Sequence, residues 1–157
     1  MNRRSFLSRA SGALAAAAAL PSIAQTPSTD RVVKTPEEWR KALTPEQFYI
    51  LREEGTERPY SSPLNNEKRK GTFVCAACAL PLFTSDTKYD SGTGWPSFYA
   101  AIPGAVGTKV DYKIVVPRTE YHCRRCEGHQ GHVFDDGPKP TGKRYCNNGV
   151  ALKFVPA

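Results

Sequence analysis

Cys146 stands in the run Arg144, Tyr145, Cys146, Asn147, Asn148, Gly149, a polar setting for a sulfur. A cysteine in such a place is either a small core residue or a reactive thiol. If the run is a strand, Arg144, Cys146 and Asn148 project from one face, setting a cation and an amide beside the sulfur. A nearby cation favours the thiolate, which is the nucleophilic form. The three histidines, His122, His129 and His132, fall close together, the last two in the run Gly128, His129, Gln130, Gly131, His132, Val133, Phe134. Imidazoles placed by flanking glycines have a defined scaffold from which to donate protons, so His132 and His129 are candidate acids beside Cys146. His122, next to Cys123, reads as structural.

The other four cysteines form two CxxC pairs, Cys75 with Cys78 and Cys123 with Cys126, separated by 44 residues. Two such knuckles can bring four thiolates around Zn²⁺, and four sulfur ligands leave no open position, so the metal is read as structural. Three rivals share the pattern: two disulfides, a redox-active CxxC, and an iron site on the same thiolates. A thioredoxin-type CxxC opens a helix, whereas here Pro81 follows Cys78 closely and Cys126 runs into Gly128 and Gly131.

The elements that must position these residues are short. Thr35, Pro36 and Glu38 make a capping-box helix start, and Thr44, Pro45 and Gln47 repeat it, predicting two helices, the second ending near Gly55. Thr56 to Lys70 carries Pro59, Pro63, Asn65 and Asn66 and reads as irregular. From Gly71 onward, short runs rich in Val, Phe, Tyr and Thr alternate with Gly, Pro and Asp clusters, the pattern of an antiparallel β domain. Strands are expected at Thr72–Val74, Lys109–Asp111, Lys113–Val116, Thr119–His122, His132–Phe134, Lys143–Cys146 and Val150–Phe154, with Val150, Leu152 and Phe154 on one face of the last. Trp39 reads as a packing residue of the first helix. A domain this small has a limited core, which a metal staple would support.

Three segments together are specific: SGTGWPSF (Ser91 to Phe98), RTEYHCRRCEGHQGHVF (Arg118 to Phe134) and RYCNNGVALKF (Arg144 to Phe154). In these, the chain resembles the methionine-R-sulfoxide reductases from about Thr35 to Phe154; the GCFWG signature of the S-epimer enzymes is absent. The resemblance implies a mainly β fold of two antiparallel sheets with short N-terminal helices. It implies Cys146 as the nucleophile that attacks the sulfoxide sulfur, His132 and His129 as donors to the departing oxygen, and Asn148 as a residue orienting the polar groups. Trp95 and Phe134 would pack around the S-methyl group, with Arg144 also in the substrate site. Cys146 would be left as a sulfenic acid. Many members carry a resolving cysteine two residues before the Trp; this chain has Thr93 there, so an external thiol or a thioredoxin-like protein is expected to regenerate Cys146. Oxidised proteins are the expected substrates and zinc the only cofactor.

Residues 1–24 have the order of an export signal: Arg3, Arg4 and Arg9 without acids, an Ala-rich stretch, then small residues before Gln25. Arg3 to Leu7 resembles a twin-arginine signal, which implies a periplasmic destination; a mitochondrial transit peptide is the alternative. A twin-arginine route would let the metal be loaded before transport. The apolar stretch is too short for a stable membrane anchor. Residues 25–34 read as a linker and 35–157 as one domain, expected to be monomeric. Without the three signal arginines, 19 basic residues face 15 acidic ones, a net of +4, and they are scattered, which disfavours a nucleic-acid partner. A zinc-bearing binding module would need no Cys146, Asn148 and paired histidines, and a thiol-disulfide exchange protein would need a second free cysteine.

Overall fold

The computed structural model describes residues 30–157, so the expected signal over residues 1–24 and residues 25–29 of the expected linker lie outside the described residues. Residues 30–34 follow the surface of the domain, with the Val32 amide donating to the Arg125 carbonyl at 2.8 Å and Arg31 paired with Glu127 at 2.5 Å. Both capping boxes form. Thr35 starts α1 (Pro36–Ala42), accepting the Glu38 amide at 3.2 Å while the Glu38 carboxylate accepts the Thr35 amide at 2.7 Å. Thr44 and Gln47 do the same for α2 (Pro45–Glu53), which ends as Glu54 turns left-handed just before Gly55. Each reciprocal cap satisfies two amides that the first turn would otherwise leave unpaired. Trp39, Ile50 and Leu51 are the buried anchors of this helical pair.

Nine strands follow: β1 (Gly71–Cys75), β2 (Pro81–Thr84), β3 (Lys88–Tyr89), β4 (Ser97–Phe98), β5 (Val106–Asp111), β6 (Arg118–Cys123), β7 (His129–Phe134), β8 (Arg144–Asn147) and β9 (Leu152–Pro156). They build two antiparallel sheets, one in the order β2-β1-β9 and one in the order β3-β4-β8-β7-β6-β5. The expected mainly β fold with two short helices is the fold observed. Alternation divides the large sheet. Phe98, Tyr121 and Tyr145 face inward, where Phe83 of the small sheet stacks on Phe98 at 4.2 Å between centroids and meets Tyr121 and Tyr145 edge-on or tilted. The alternate positions, Ser97, Cys146, His132 and Glu120, are successive cross-strand partners and form a polar row on the opposite face.

Several elements differ from the sequence reading. Lys113–Val116 is not a strand but the connection between β5 and β6: the Asp111 carboxylate caps the Lys113 amide at 2.8 Å and turns the chain out of the sheet. The last strand begins at Leu152, not Val150, because Gly149–Ala151 coils into a 3₁₀ turn whose first two amides are held by the buried Glu57 carboxylate. Ala151 is consequently buried. Strands β2, β3 and β4 were not anticipated; two of them are two residues long, and Pro81 opens the other at its first position, where no ladder donor is lost. A 3₁₀ turn, Pro63–Asn66, interrupts the stretch expected to be irregular.

Candidate active site

Cys146 sits on β8 between β4 and β7, with Ser97 opposite it on one side and His132 opposite it on the other. Directly opposite residues of antiparallel strands share a face with Cβ atoms about 5 Å apart, so pairing alone delivers an imidazole to the sulfur. The close fit of the two strands depends on Gly131, where a Cβ would lie 1.9 Å from the Cys146 carbonyl oxygen. Cys146 is half-buried. Burial pushes its thiol above the ordinary range, while the Arg144 guanidinium and the Thr93 hydroxyl favour the thiolate. Arg144 is aimed by a two-pronged pair with Asp136, both bonds at 2.8 Å, and lies over the Phe134 ring at 4.4 Å.

A bulge in β7 explains the two histidines. Tyr121 pairs with Gly131 but His122 pairs with His129, so one extra residue is accommodated near Gln130 and the face of everything before it is reversed. His129 and His132 therefore lie together, ring centroids 5.4 Å apart, although three positions separate them. Their surroundings differ. His132 reaches the cleft, with Nε2 held by the Asp111 carboxylate at 2.7 Å and Asp111 held in turn by Arg118 at 2.6 Å. Burial lowers the His132 imidazole below its usual range, with Asp111 opposing that shift. His129 is buried outside the cleft lining, its Nδ1 on Glu120 at 2.8 Å and its Nε2 without a partner. His122 shares that carboxylate at 3.0 Å; burial would raise Glu120, but the two imidazoles hold it at about 2.

The cleft over Cys146 has a volume of about 290 Å³ and is lined by Trp95, Phe134, His132, Arg144 and Asn148, together with Thr56, Thr93 and Arg118. All the residues singled out in the sequence for nucleophile and substrate contacts thus meet in one place; His129 alone stands behind it. One buried carboxylate organises the cleft wall. Glu57 accepts the Gly149 and Val150 amides at 2.6 and 3.0 Å, its carbonyl accepts the Trp95 indole N–H at 3.1 Å, and its own amide donates to the Asn148 side chain at 3.0 Å. Asn148 also donates to the Gln130 carbonyl at 3.0 Å, so its amide is spent on holding strands and loop together just beyond β8. Neither Glu57, Asp111, Arg118 nor Asp136 was anticipated as part of the site. Only Asp136, in the short connection back to Arg144, stood near enough in sequence to be noticed.

The four remaining cysteines converge as well. Their sulfurs lie within 4.8 Å of one another, Cys75 and Cys126 3.7 Å apart and Cys78 and Cys123 3.5 Å apart. A tetrahedral shell of zinc–sulfur bonds of about 2.3 Å places sulfurs about 3.8 Å apart, so the donor set and its spacing fit such an ion. The two knuckles repeat one backbone design. The Cys75 amide bonds the Leu80 carbonyl and the Ala79 amide the Cys75 carbonyl, just as Cys123 bonds Gly128 and Glu127 bonds Cys123; Ala79 and Glu127 both turn left-handed. None of the five cysteines is joined in a disulfide.

Residues 43–156 match the SelR domain model. The chain belongs to the SelR-domain family. Similar relatives include the peptide methionine sulfoxide reductase MsrB of Methanosarcina barkeri, 56% identical over 78% of this chain and 87% of that one. The MsrB of Agrobacterium fabrum is 52% identical over 82% of this chain and 96% of that one, and the chloroplastic peptide methionine sulfoxide reductase B1 of Arabidopsis thaliana is 56% identical over 74% and 58%. The SelR domain of this chain takes in both knuckles, β8 with Cys146, and the cleft walls, while α1 precedes it.

Proposed function

We propose that this chain reduces methionine (R)-S-oxide in oxidised polypeptides, with Cys146 as nucleophile. SelR-family membership and 52–56% identity to peptide methionine sulfoxide reductases support the coarse reading, an oxidoreductase acting on methionine sulfoxide in peptides. The observation that carries the finer one is the pairing of Cys146 with His132 on the floor of a cleft walled by Trp95 and Phe134.

The chemistry balances with those groups alone. With Nε2 committed to Asp111, the neutral imidazole of His132 has Nδ1 left to take the Cys146 proton. The thiolate attacks the sulfoxide sulfur, the same proton passes to the sulfoxide oxygen, and oxygen transfers to Cys146 as methionine leaves. The products are methionine and a Cys146 sulfenic acid. An external thiol then displaces water from the sulfenic acid to give a mixed disulfide, and a second thiol restores Cys146. The S-methyl group packs between the faces of Trp95 and Phe134, while the oxygen points to His132; this arrangement favours one epimer. Arg144 holds charge on the sulfur, and Asn148 with Glu57 keeps the Trp95 wall in place. His129, through Glu120, supports the histidine row from behind.

Cys75, Cys78, Cys123 and Cys126 would hold a structural Zn²⁺, which when bound stiffens the two knuckles from which β1 ends and β7 departs. The domain spans residues 35–157, works as a monomer, and is exported by residues 1–24 to the periplasm, where it repairs oxidised proteins. Both epimers of a methionine-sulfoxide peptide, given with a small dithiol, test the reading: turnover of the R epimer alone, abolished by Cys146→Ser, is the expected result. Equal turnover of both epimers, or an active Cys146→Ser variant, refutes it. Fractionation of cells expressing the full chain, with Arg3→Lys plus Arg4→Lys as comparison, tests export.

A further inference from the structure

Among the described residues nine large apolar side chains are exposed, and five of them, Val110, Tyr112, Ile114, Val115 and Val116, crowd into the tip of the β5–β6 hairpin. Singly, exposed apolar residues carry no meaning; a contiguous group marks a contact surface. Val115 is fully exposed and Tyr112 is 74% exposed. A β-branched run at the end of an edge strand, beyond the reach of the second sheet, gains nothing for the core.

Two further observations say what covers this tip. Its charges are largely paired: Lys109 and Lys113 share the single Glu54 carboxylate at the end of α2, and Arg118 pairs with Asp111 at the hairpin base. Three cations against two carboxylates leave the hairpin end one net positive charge, so the tip offers apolar area without the cluster of basic residues that draws a protein to an anionic membrane. The tip is also continuous with the cleft. Asp111, the last residue of β5, holds His132, and Arg118, the first residue of β6, lines the cleft directly. At about 290 Å³ the cleft takes one side chain, so the neighbours of an oxidised methionine must lie across its rim.

We propose that the apolar tip of the β5–β6 hairpin docks the apolar residues flanking the oxidised methionine of an unfolded polypeptide; this rests on the reductase reading above. Methionine is itself a core residue, and its neighbours in a segment that has come out of a core are apolar. The tip engages that segment by burying Tyr112, Ile114, Val115 and Val116, and the sulfoxide enters the cleft beside it.

The test is a variant of the full chain carrying Tyr112→Ser, Ile114→Ser, Val115→Ser and Val116→Ser. Its kcat/KM is measured on N-acetyl methionine sulfoxide, on a peptide with polar residues around methionine sulfoxide, and on one with apolar residues there. The expected result is a loss of about tenfold, through KM, on the apolar-flanked peptide only, with the other two within about twofold of the unsubstituted protein. An equal loss on all three substrates, or none on any, overturns the proposal. So does loss of phosphatidylglycerol-vesicle binding or of a dimer on sedimentation while the peptide kinetics stay unchanged. Should the unsubstituted protein turn over none of the substrates, the reductase reading falls; fluorescence anisotropy of the labelled apolar-flanked peptide then decides the tip alone, about tenfold weaker binding by the variant supporting docking and equal binding overturning it.

Discussion

The Asp111 carboxylate lies 2.7 Å from Nε2 of His132 and thereby fixes which imidazole nitrogen is left for the cleft. Asp111→Asn should leave the fold intact and lower the turnover rate by about a hundredfold, since an amide can satisfy either nitrogen and no longer selects the tautomer. The carboxylate raises the imidazole pKa against burial, so its removal should move the acidic limb of the pH–rate profile to lower pH. A profile that keeps its shape and position would contradict this role for Asp111.

Burial raises the Cys146 thiol and Arg144 opposes that rise, which gives the pH dependence a sign. The thiolate fraction, and with it the rate of alkylation by iodoacetamide, should climb through neutral pH and level off only above the ordinary thiol range. Arg144→Met removes the opposing cation, so the curve should shift further to alkaline pH and the rate at pH 7 should fall about tenfold. Alkylation followed by mass spectrometry across pH 6 to about 10 measures both.

Glu57 satisfies the buried Gly149 amide, the part-buried Val150 amide and, through its backbone, the Trp95 indole. Glu57→Ala leaves the Gly149 and Val150 amides without their acceptor and should cost about 2–4 kcal/mol in urea unfolding. Trp95 should at the same time become more accessible to a fluorescence quencher, and KM should rise more than kcat falls. Glu57→Gln keeps one acceptor and should lie between.

The cysteine quartet predicts one zinc ion per chain by elemental analysis, lost together with cooperative thermal unfolding on treatment with a strong chelator and a mercurial. Cys78→Ser should prevent loading and lower the melting temperature by more than 10 °C, about the effect of several kcal/mol on a domain of this size. Stoichiometric disulfides between the same four residues in the mature protein would refute the metal reading.

With Thr93 on the cleft wall and the other cysteines gathered in the quartet, a single turnover without reductant should leave Cys146 as a sulfenic acid. Dimedone should label it at one equivalent per chain. Thr93→Cys places a second sulfur in the same cleft and should convert that product to an intramolecular disulfide, abolishing the label.

Much of the site was legible because its residues carry their chemistry in their type. Cys146, His132 and Arg144 stand out by residue type and strand position, Trp95 and Phe134 entered only through the family resemblance, and the four knuckle cysteines and two threonine caps announce themselves by spacing. What stayed hidden depends on distant pairing. Nothing near Asp111 or Glu57 marks either, since their partners lie 21 and 92 positions away. The face reversal in β7 was equally invisible, because a bulge is defined by the partner strand and leaves no signature in its own; without it, His129 and His132 belong on opposite sides of the sheet. Lys113–Val116 misled for the converse reason: its composition suits a strand, but there is no neighbour to pair with.

The extra residue in β7 also determines where this chain can change length. Gln130 occupies that irregularity, with its side chain 3.5 Å from the Cys75 sulfur and its backbone carbonyl bound by Asn148. A deletion between His129 and His132 would flip one imidazole to the far side and pull the knuckle out of alignment in a single event. The connection beyond Asp136, by contrast, closes on itself through Gly137 and Gly142 and sets no pairing in the sheet. Natural variation and loop grafting should therefore be tolerated in that connection, within a few residues of a segment where no insertion or deletion is.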